Sequence, residues 1–414
     1  MSRMIRAIRS GHPATLFAAF LYFDVSFMVW VLIGALGVFV SGDLRLSAAQ
    51  KGIVVSVPLL GGAFFRVLTG FLVDRFGPRK VGILSLAIVL VPLTWGWLGA
   101  GSYTQTIGVG FLLGVAGASF AVALPLASRC YPPEHQGVAL GIAGAGNSGT
   151  MIAVLAAPFL AERYGWHAVF GLAILPVLAT LLVFCKCAKE YGDLPSSTPF
   201  ADVLSLLRAP DFWTFSSYYA VTFGGFVGMA SFLGIFLHDA YGVRPVLAGA
   251  LTALCVFAGS FVRPIGGYWA DRVGGVRLLI GLYAAVAVLF LALAAAPPLP
   301  IAVACIFLGM AALGLGNGAI FQEVPQRFPD SMGFVAGFVG ACGGLGGFFL
   351  PTLLGAMKGW TDAFSGGFLC FAAAAMACAV ATSIQCFRRP IRAQAAIHIA
   401  VDDGRVPMEV VFGG

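Results

Sequence analysis

Apolar runs of about 20 residues recur along the whole chain, broken by short stretches that hold most of the charge and much of the proline. A helix of ~20 apolar residues crosses the ~30 Å hydrocarbon core of a bilayer, so each run predicts one membrane span. Read between the breaks, the runs place helices near 14–40, 50–73, 80–99, 104–128, 137–161 and 167–187, then near 210–237, 246–270, 276–295, 300–326, 332–357 and 363–387. A polar interval with Glu190, Asp193, Pro195, Ser196, Ser197 and Pro199 separates the two groups of six. The pattern predicts an all-α membrane protein of twelve helices. One six-helix half covers 1–187, a cytoplasmic linker 188–209, a second half 210–388 and a cytoplasmic tail 389–414. Arg3, Arg6 and Arg9 precede the first run as they would in a signal peptide. A run over 14–40 exceeds the roughly 7–15 residues of a signal-peptide core, and predicts a retained helix.

The halves repeat each other. The second helix ends Arg66-x-x-x-Gly70-x-x-x-Asp74-Arg75-x-Gly77 and the eighth ends Arg263-x-x-x-Gly267-x-x-x-Asp271-Arg272-x-Gly274, every pair being 197 residues apart. Such a shared offset predicts a duplication, the parallel six-helix repeat from which major-facilitator transporters are built. The stretch from Gly70 to Lys80, with its copy from Gly267, resembles the cytoplasmic signature of that superfamily. There Asp74 and Asp271 would pair with a neighbouring helix end, and the Arg and Lys residues with carbonyls or acids, as a latch on the cytoplasmic gate.

Composition supports the membrane reading. Of 414 residues 60% are hydrophobic and 10% charged, against about 25% charged in a soluble domain. The net charge of +7 would suit nucleic acid if it were clustered, but the basic residues lie in the loops. With the N-terminus inside, 17 of the 24 Lys and Arg fall in cytoplasmic segments and 5 in outer loops, as the positive-inside rule requires. Both termini are therefore expected in the cytoplasm. Nine cysteines lie in apolar runs or at their cytoplasmic ends, and Cys185-Lys-Cys187 lacks metal-ligand spacing. Neither a disulfide framework, a metal site nor a cofactor is expected.

Two charges remain inside the membrane. Arg66 and Arg263 each precede the cytoplasmic Asp by eight residues, which puts them ~12 Å deep, near the bilayer centre. A charge there costs ~2.5–3.5 kcal/mol and marks a functional candidate. Two guanidiniums facing one cavity call for an anion between them, and their planar forks suit a planar oxyanion or a carboxylate. The alternative is an Arg held by backbone carbonyls or by Asp24, the one deep acid. Asp24 could carry a proton or serve as that counter-ion; Glu323 lies nearer the cytoplasmic edge and is a second proton candidate. The chain holds only two asparagines, Asn147 and Asn317, each after a glycine and each ~15 Å deep. They read as hydrogen-bond partners of one ligand or as helix-to-helix ties. Helices 5 and 11 carry Gly141-x-x-Gly144-x-Gly146-Asn147-x-Gly149 and Gly337-x-x-Gly340-x-x-Gly343-Gly344-x-Gly346-Gly347, spacings that let helices approach closely.

These residues together resemble the nitrate/nitrite porter family of the major facilitator superfamily, over nearly the whole chain. The two glycine runs resemble that family's nitrate signatures. The stretch from Gly314 to Pro325, with Asn317, Phe321 and Gln322, is similar to assimilatory members. The resemblance implies that Arg66 and Arg263 clamp the substrate and that Asn147 adds an amide. It also implies that Tyr219, Phe223 and Phe120 sandwich a flat anion. Asn317, Gly144 and Gly343 join this expected site. Thr150 departs from the pattern, where another small residue is expected after Gly149. The implied protein is a monomeric porter in the bacterial inner membrane, working on nitrate and nitrite by proton symport or by nitrate/nitrite exchange. A porter for a small carboxylate or organophosphate and a transporter-like anion sensor are the alternatives. No nucleophile–base pair at membrane depth supports an enzyme.

Overall fold

Among the described residues the apolar runs fold into twelve helices long enough to cross a membrane, each continuous in hydrophobicity because lipid offers no partner for a bare backbone amide. They are α1 (Pro13–Trp30), α2 (Ala48–Phe76), α3 (Pro78–Gly99), α4 (Tyr103–Arg129), α5 (Val138–Tyr164), α6 (Trp166–Cys187), α7 (Pro210–Tyr241), α8 (Pro245–Val273), α9 (Gly275–Ala294), α10 (Leu299–Val324), α11 (Val335–Thr361) and α12 (Ser365–Cys386). The computed structural model describes residues 10–132, 135–190, 207–327 and 332–402. Arg3, Arg6, Arg9, most of the expected linker and the end of the expected tail lie outside the described residues. The last helix runs on to Asp402, past the expected end near 387; the alanines after Pro390 favour helix over a loose tail.

The expected repeat is visible in the backbone. Gly77 between α2 and α3 has φ 86°, and Gly274 between α8 and α9 has φ 91°. Both are left-handed turns that a side chain would strain, at one of the glycine pairs that share the 197-residue offset.

Four helices expected to be continuous are interrupted mid-membrane. The first helical run pauses at Val31 and Leu36 and continues as Leu32–Ala35 and Gly37–Asp43. The α4 helix breaks between Gly117 and Phe120, and α8 breaks at Val262. In α5, Ala145–Ser148 tighten into a 3₁₀ turn. Pro264 explains the α8 break, since it has no N–H to return to Ser260. Irregular backbone at this depth survives only where protein or a cavity takes up the freed polar groups.

The halves meet chiefly along two helix pairs, α2 with α11 and α5 with α8. At the end away from the termini they are bonded to each other. Lys51 pairs with Asp239 at 2.6 Å, joining α2 to α7. Ser56 and Thr352 hydroxyls meet at 2.9 Å, joining α2 to α11. At the end carrying the termini, α1, α4 and α6 are tied within one half. His12 N–H donates to the Cys130 carbonyl at 3.2 Å and the Thr15 hydroxyl to the Cys187 carbonyl at 3.0 Å.

Candidate functional site

Arg66 is buried at 2% exposure in the middle of α2. Its Nε donates to the Gly117 carbonyl at 2.9 Å, and its Nη1 to the Gly340 carbonyl of α11. The first acceptor exists because α4 is broken. In a continuous helix Ala121 N–H would take the Gly117 oxygen, but here it donates to Ala118 at 3.0 Å. The guanidinium carbon also sits over two rings, 5.1 Å from the Trp30 centroid and 4.9 Å from that of Phe223. The Trp30 indole is fixed in turn by donating to the Pro58 carbonyl at 2.7 Å.

Arg263, at the α8 break, approaches the same ring. Its guanidinium carbon is 5.4 Å from the Phe223 centroid and 5.7 Å from that of Phe226. Phe223 thus faces both arginines, which are close enough to repel each other. The Tyr219 hydroxyl lies within hydrogen-bonding reach of Arg263. The two arginines differ in one respect. Arg66 is anchored by two carbonyls, whereas the Arg263 Nε and Nη2 are buried with no protein partner. Those two N–H groups point along one edge of the guanidinium, the geometry that holds two oxygens of one oxyanion.

The expected aromatics take a different arrangement from a sandwich. Tyr219 and Phe223 stack on each other at 5.0 Å and 4°, which leaves no slot between them. Gly343 makes that stack possible, since an added Cβ there would lie 2.7 Å from Tyr219 and 2.8 Å from Phe223. Phe120 is not brought to the arginines in the ring contacts. It meets Phe321 of the other half at 5.5 Å, and Phe321 meets Tyr219 edge-on at 5.0 Å.

The two asparagines separate. Asn147, in the 3₁₀ turn, donates its amide to Ser260 Oγ at 3.0 Å and so ties α5 to α8, while its oxygen has no partner. Asn317 is 2% exposed, and neither its oxygen nor its nitrogen finds a protein partner. It stands one turn before Phe321, on the same face of α10. Gly144 faces open space, with nothing within 4 Å of an added Cβ. Gly144→Ala is therefore expected to leave thermal stability unchanged or slightly raised, by up to ~1 kcal/mol from helix propensity. A lower melting temperature for the purified variant would mean that this space is filled.

The comparisons with known proteins meet this geometry. A family model described as Major Facilitator Superfamily matches residues 18–351. The chain belongs to that superfamily. A "Probable nitrate/nitrite transporter NarK2" of Mycobacterium tuberculosis (strain ATCC 25618 / H37Rv) is 35% identical over 93% of this chain and 99% of its own. A "Nitrite extrusion protein" of Bacillus subtilis (strain 168) is 33% identical over 85% of this chain and 89% of its own. A "Probable nitrate/nitrite antiporter NarK1" of Thermus thermophilus is 32% identical over 85% of this chain and 87% of its own. The fold also matches a D-xylose-proton symporter with a TM-score of 0.67 at 16% identity, covering 89% of this chain and 95% of that one. The resemblance read from the glycine runs is thus borne out, and the protein is a multi-pass transporter of the inner membrane.

Both copies of the superfamily's loop signature are folded within their own halves. Asp74 lies beside Arg129 at the end of α4, and Arg79 Nη2 donates to the Cys185 carbonyl of α6 at 3.0 Å. Gly70 faces open space, and Arg75 lies against its neighbour Phe76. In the second copy Gly267 is loosely packed, Asp271 is exposed, and Arg272 covers the Tyr268 ring at 4.4 Å. Neither copy bonds to the opposite half among the described residues. Glu323 packs against Gly275, the first residue of α9, where helix N–H groups favour an anion. It lies two residues, ~200° around the helix, from Phe321. Asp24 is absent from the ion pairs among the described residues. It accepts from Ser148 Oγ at 2.6 Å instead, so the counter-ion reading finds no pair here.

Sequence reasoning missed Trp30, Gly117, Phe226 and Ser260. Trp30 lies six residues, ~9 Å along the helix, from Asp24, so its depth was a usable signal. The others depend on how the helices break and rotate.

Proposed function

We propose that this porter carries nitrate, and nitrite, across the inner membrane by alternating access, with the anion on the Arg263 fork beside Arg66. The observation that carries the reading is the pair of buried, unpartnered N–H groups on one edge of Arg263. A flat, singly charged oxyanion can accept both bonds at once, lie against the Phe223 ring and offset the repulsion between the arginines. Tyr219, within reach of Arg263, and the unpartnered Asn317 amide are further polar groups for the anion, and Arg66 holds a fixed charge. The relatives named as nitrate/nitrite transporters support this substrate.

The positive-inside rule puts the termini in the cytoplasm, so the end where Lys51 pairs with Asp239 is the outer one. In this conformation the anion would leave inward, past Phe120 and Phe321. One chain supplies both arginines, which is enough for a monomer to work. Uptake of an anion against ~2.3 kcal/mol per charge per 100 mV needs coupling to protons or to outgoing nitrite.

Competition tests the substrate. Isotopic nitrate uptake into proteoliposomes should be inhibited by excess nitrite and hardly at all by phosphate or an organophosphate. Equal inhibition by small carboxylates would favour a carboxylate porter, and saturable binding without flux would favour an anion sensor.

A further inference from the structure

We infer that Asp24 is a proton-binding site, tied to the anion fork by a hydrogen-bonded path that crosses between the halves. The inference rests on the nitrate reading above and adds the coupling ion. Asp24 is 8% exposed, on a helix that sits inside the membrane. Its carboxyl accepts from Ser148 Oγ of α5 at 2.6 Å. Helices α4 and α6, the others packed mainly on α1, place no Lys, Arg or His in an ion pair with it among the described residues. A carboxyl at this depth with no cation paired to it among the described residues calls for a proton.

Ser148, the donor to Asp24, is the last residue of the 3₁₀ turn Ala145–Ser148. That turn also carries Asn147, whose amide donates to Ser260 at 3.0 Å, and Ser260 lies three residues before Arg263 on α8. The path therefore runs from Asp24 through Ser148 and Asn147 to Ser260 on α8, the helix that carries the fork. A charged carboxylate holds the Ser148 donor firmly, and a protonated one holds it more weakly because charge-assisted bonds are the stronger. Protonation loosens the turn on which the cross-half bond depends. Linkage is reciprocal, so an anion that shifts the halves shifts proton binding by the same factor. Asp24 takes one proton, giving electroneutral nitrate–proton movement through this site. Exchange of nitrate for nitrite carries an anion both ways and needs no proton.

Two fluxes separate the possibilities in proteoliposomes of the full chain. An inward nitrate gradient across wild-type vesicles, with a pH dye inside, should acidify the lumen by one proton per nitrate taken up. The isosteric Asp24→Asn should lose at least nine-tenths of this acidification while isotopic nitrate still exchanges for internal nitrite at near wild-type rate. Wild-type vesicles that exchange nitrate for nitrite but do not acidify under the inward nitrate gradient would overturn the proton site and leave the transport reading standing. Acidification that survives in Asp24→Asn would do the same. Wild-type vesicles with no nitrate flux in either format would overturn the transport reading itself. The wild-type arm decides the matter if the variant fails to fold.

Discussion

Arg263→Lys is expected to lower nitrate flux at least hundredfold while the folded protein stays intact. The Nε and Nη2 groups of Arg263 bond to nothing in the protein, so their loss removes little native structure. Lysine keeps the charge but offers one point of donation in place of two parallel N–H groups. Bonds to charged groups contribute ~1.5–3 kcal/mol each; losing the geometry of two of them amounts to about 3 kcal/mol, and 1.4 kcal/mol is tenfold. Arg66→Lys makes the contrast. It strips the Gly117 carbonyl of its donor in a buried site, an unpaired group that costs ~1–3 kcal/mol. That variant should lose thermal stability as well as flux. Initial rates of isotopic uptake, set beside unfolding curves of the purified variants, check both halves of this expectation. Wild-type uptake by Arg263→Lys would show that the fork does not hold the anion.

Gly149→Ala is expected to destabilise the protein by about 3 kcal/mol or more, at the upper end for inserting a methyl into a packed site. The added Cβ would fall 1.8 Å from the Asp24 carbonyl oxygen, 2.7 Å from its carbon and 3.0 Å from the Met28 nitrogen. All three are backbone atoms of α1, so no rotamer change relieves the overlap and the helices must part. Folded yield and melting temperature should fall sharply, against an unaffected Gly144→Ala five residues earlier. Equal behaviour of the two variants would contradict the α1–α5 packing described here.

That contrast shows what the sequence reveals and what it hides. Apolar run length and loop charge are set by the bilayer, so twelve spans and the repeat were legible from residue order alone. Depth was legible too, because eight residues of helix have a fixed length; it singled out Arg66 and Arg263. Rotation about the helix axis was not. The glycines of α5 look alike in the motif, yet Gly146 and Gly149 touch α1 while Gly144 faces open space. Helix breaks leave no mark in hydropathy either. The turn at Ala118 frees the Gly117 carbonyl that anchors Arg66, which turns an expected symmetric clamp into one fixed and one unanchored arginine. Asn147 was read as a ligand or a tie on depth alone; only the packing of α5 on α8 brings Ser260 to its amide.

The central claim is that this porter moves a planar monovalent oxyanion through a site holding Arg263. The most direct measurement is counterflow. Purified protein is placed in liposomes loaded with nitrite, and isotopic nitrate is added outside with no pH gradient or membrane potential. The account predicts rapid transient accumulation of label that collapses when the internal nitrite is omitted and is absent in Arg263→Lys liposomes. No accumulation above empty liposomes, or accumulation equal in the variant, would contradict it.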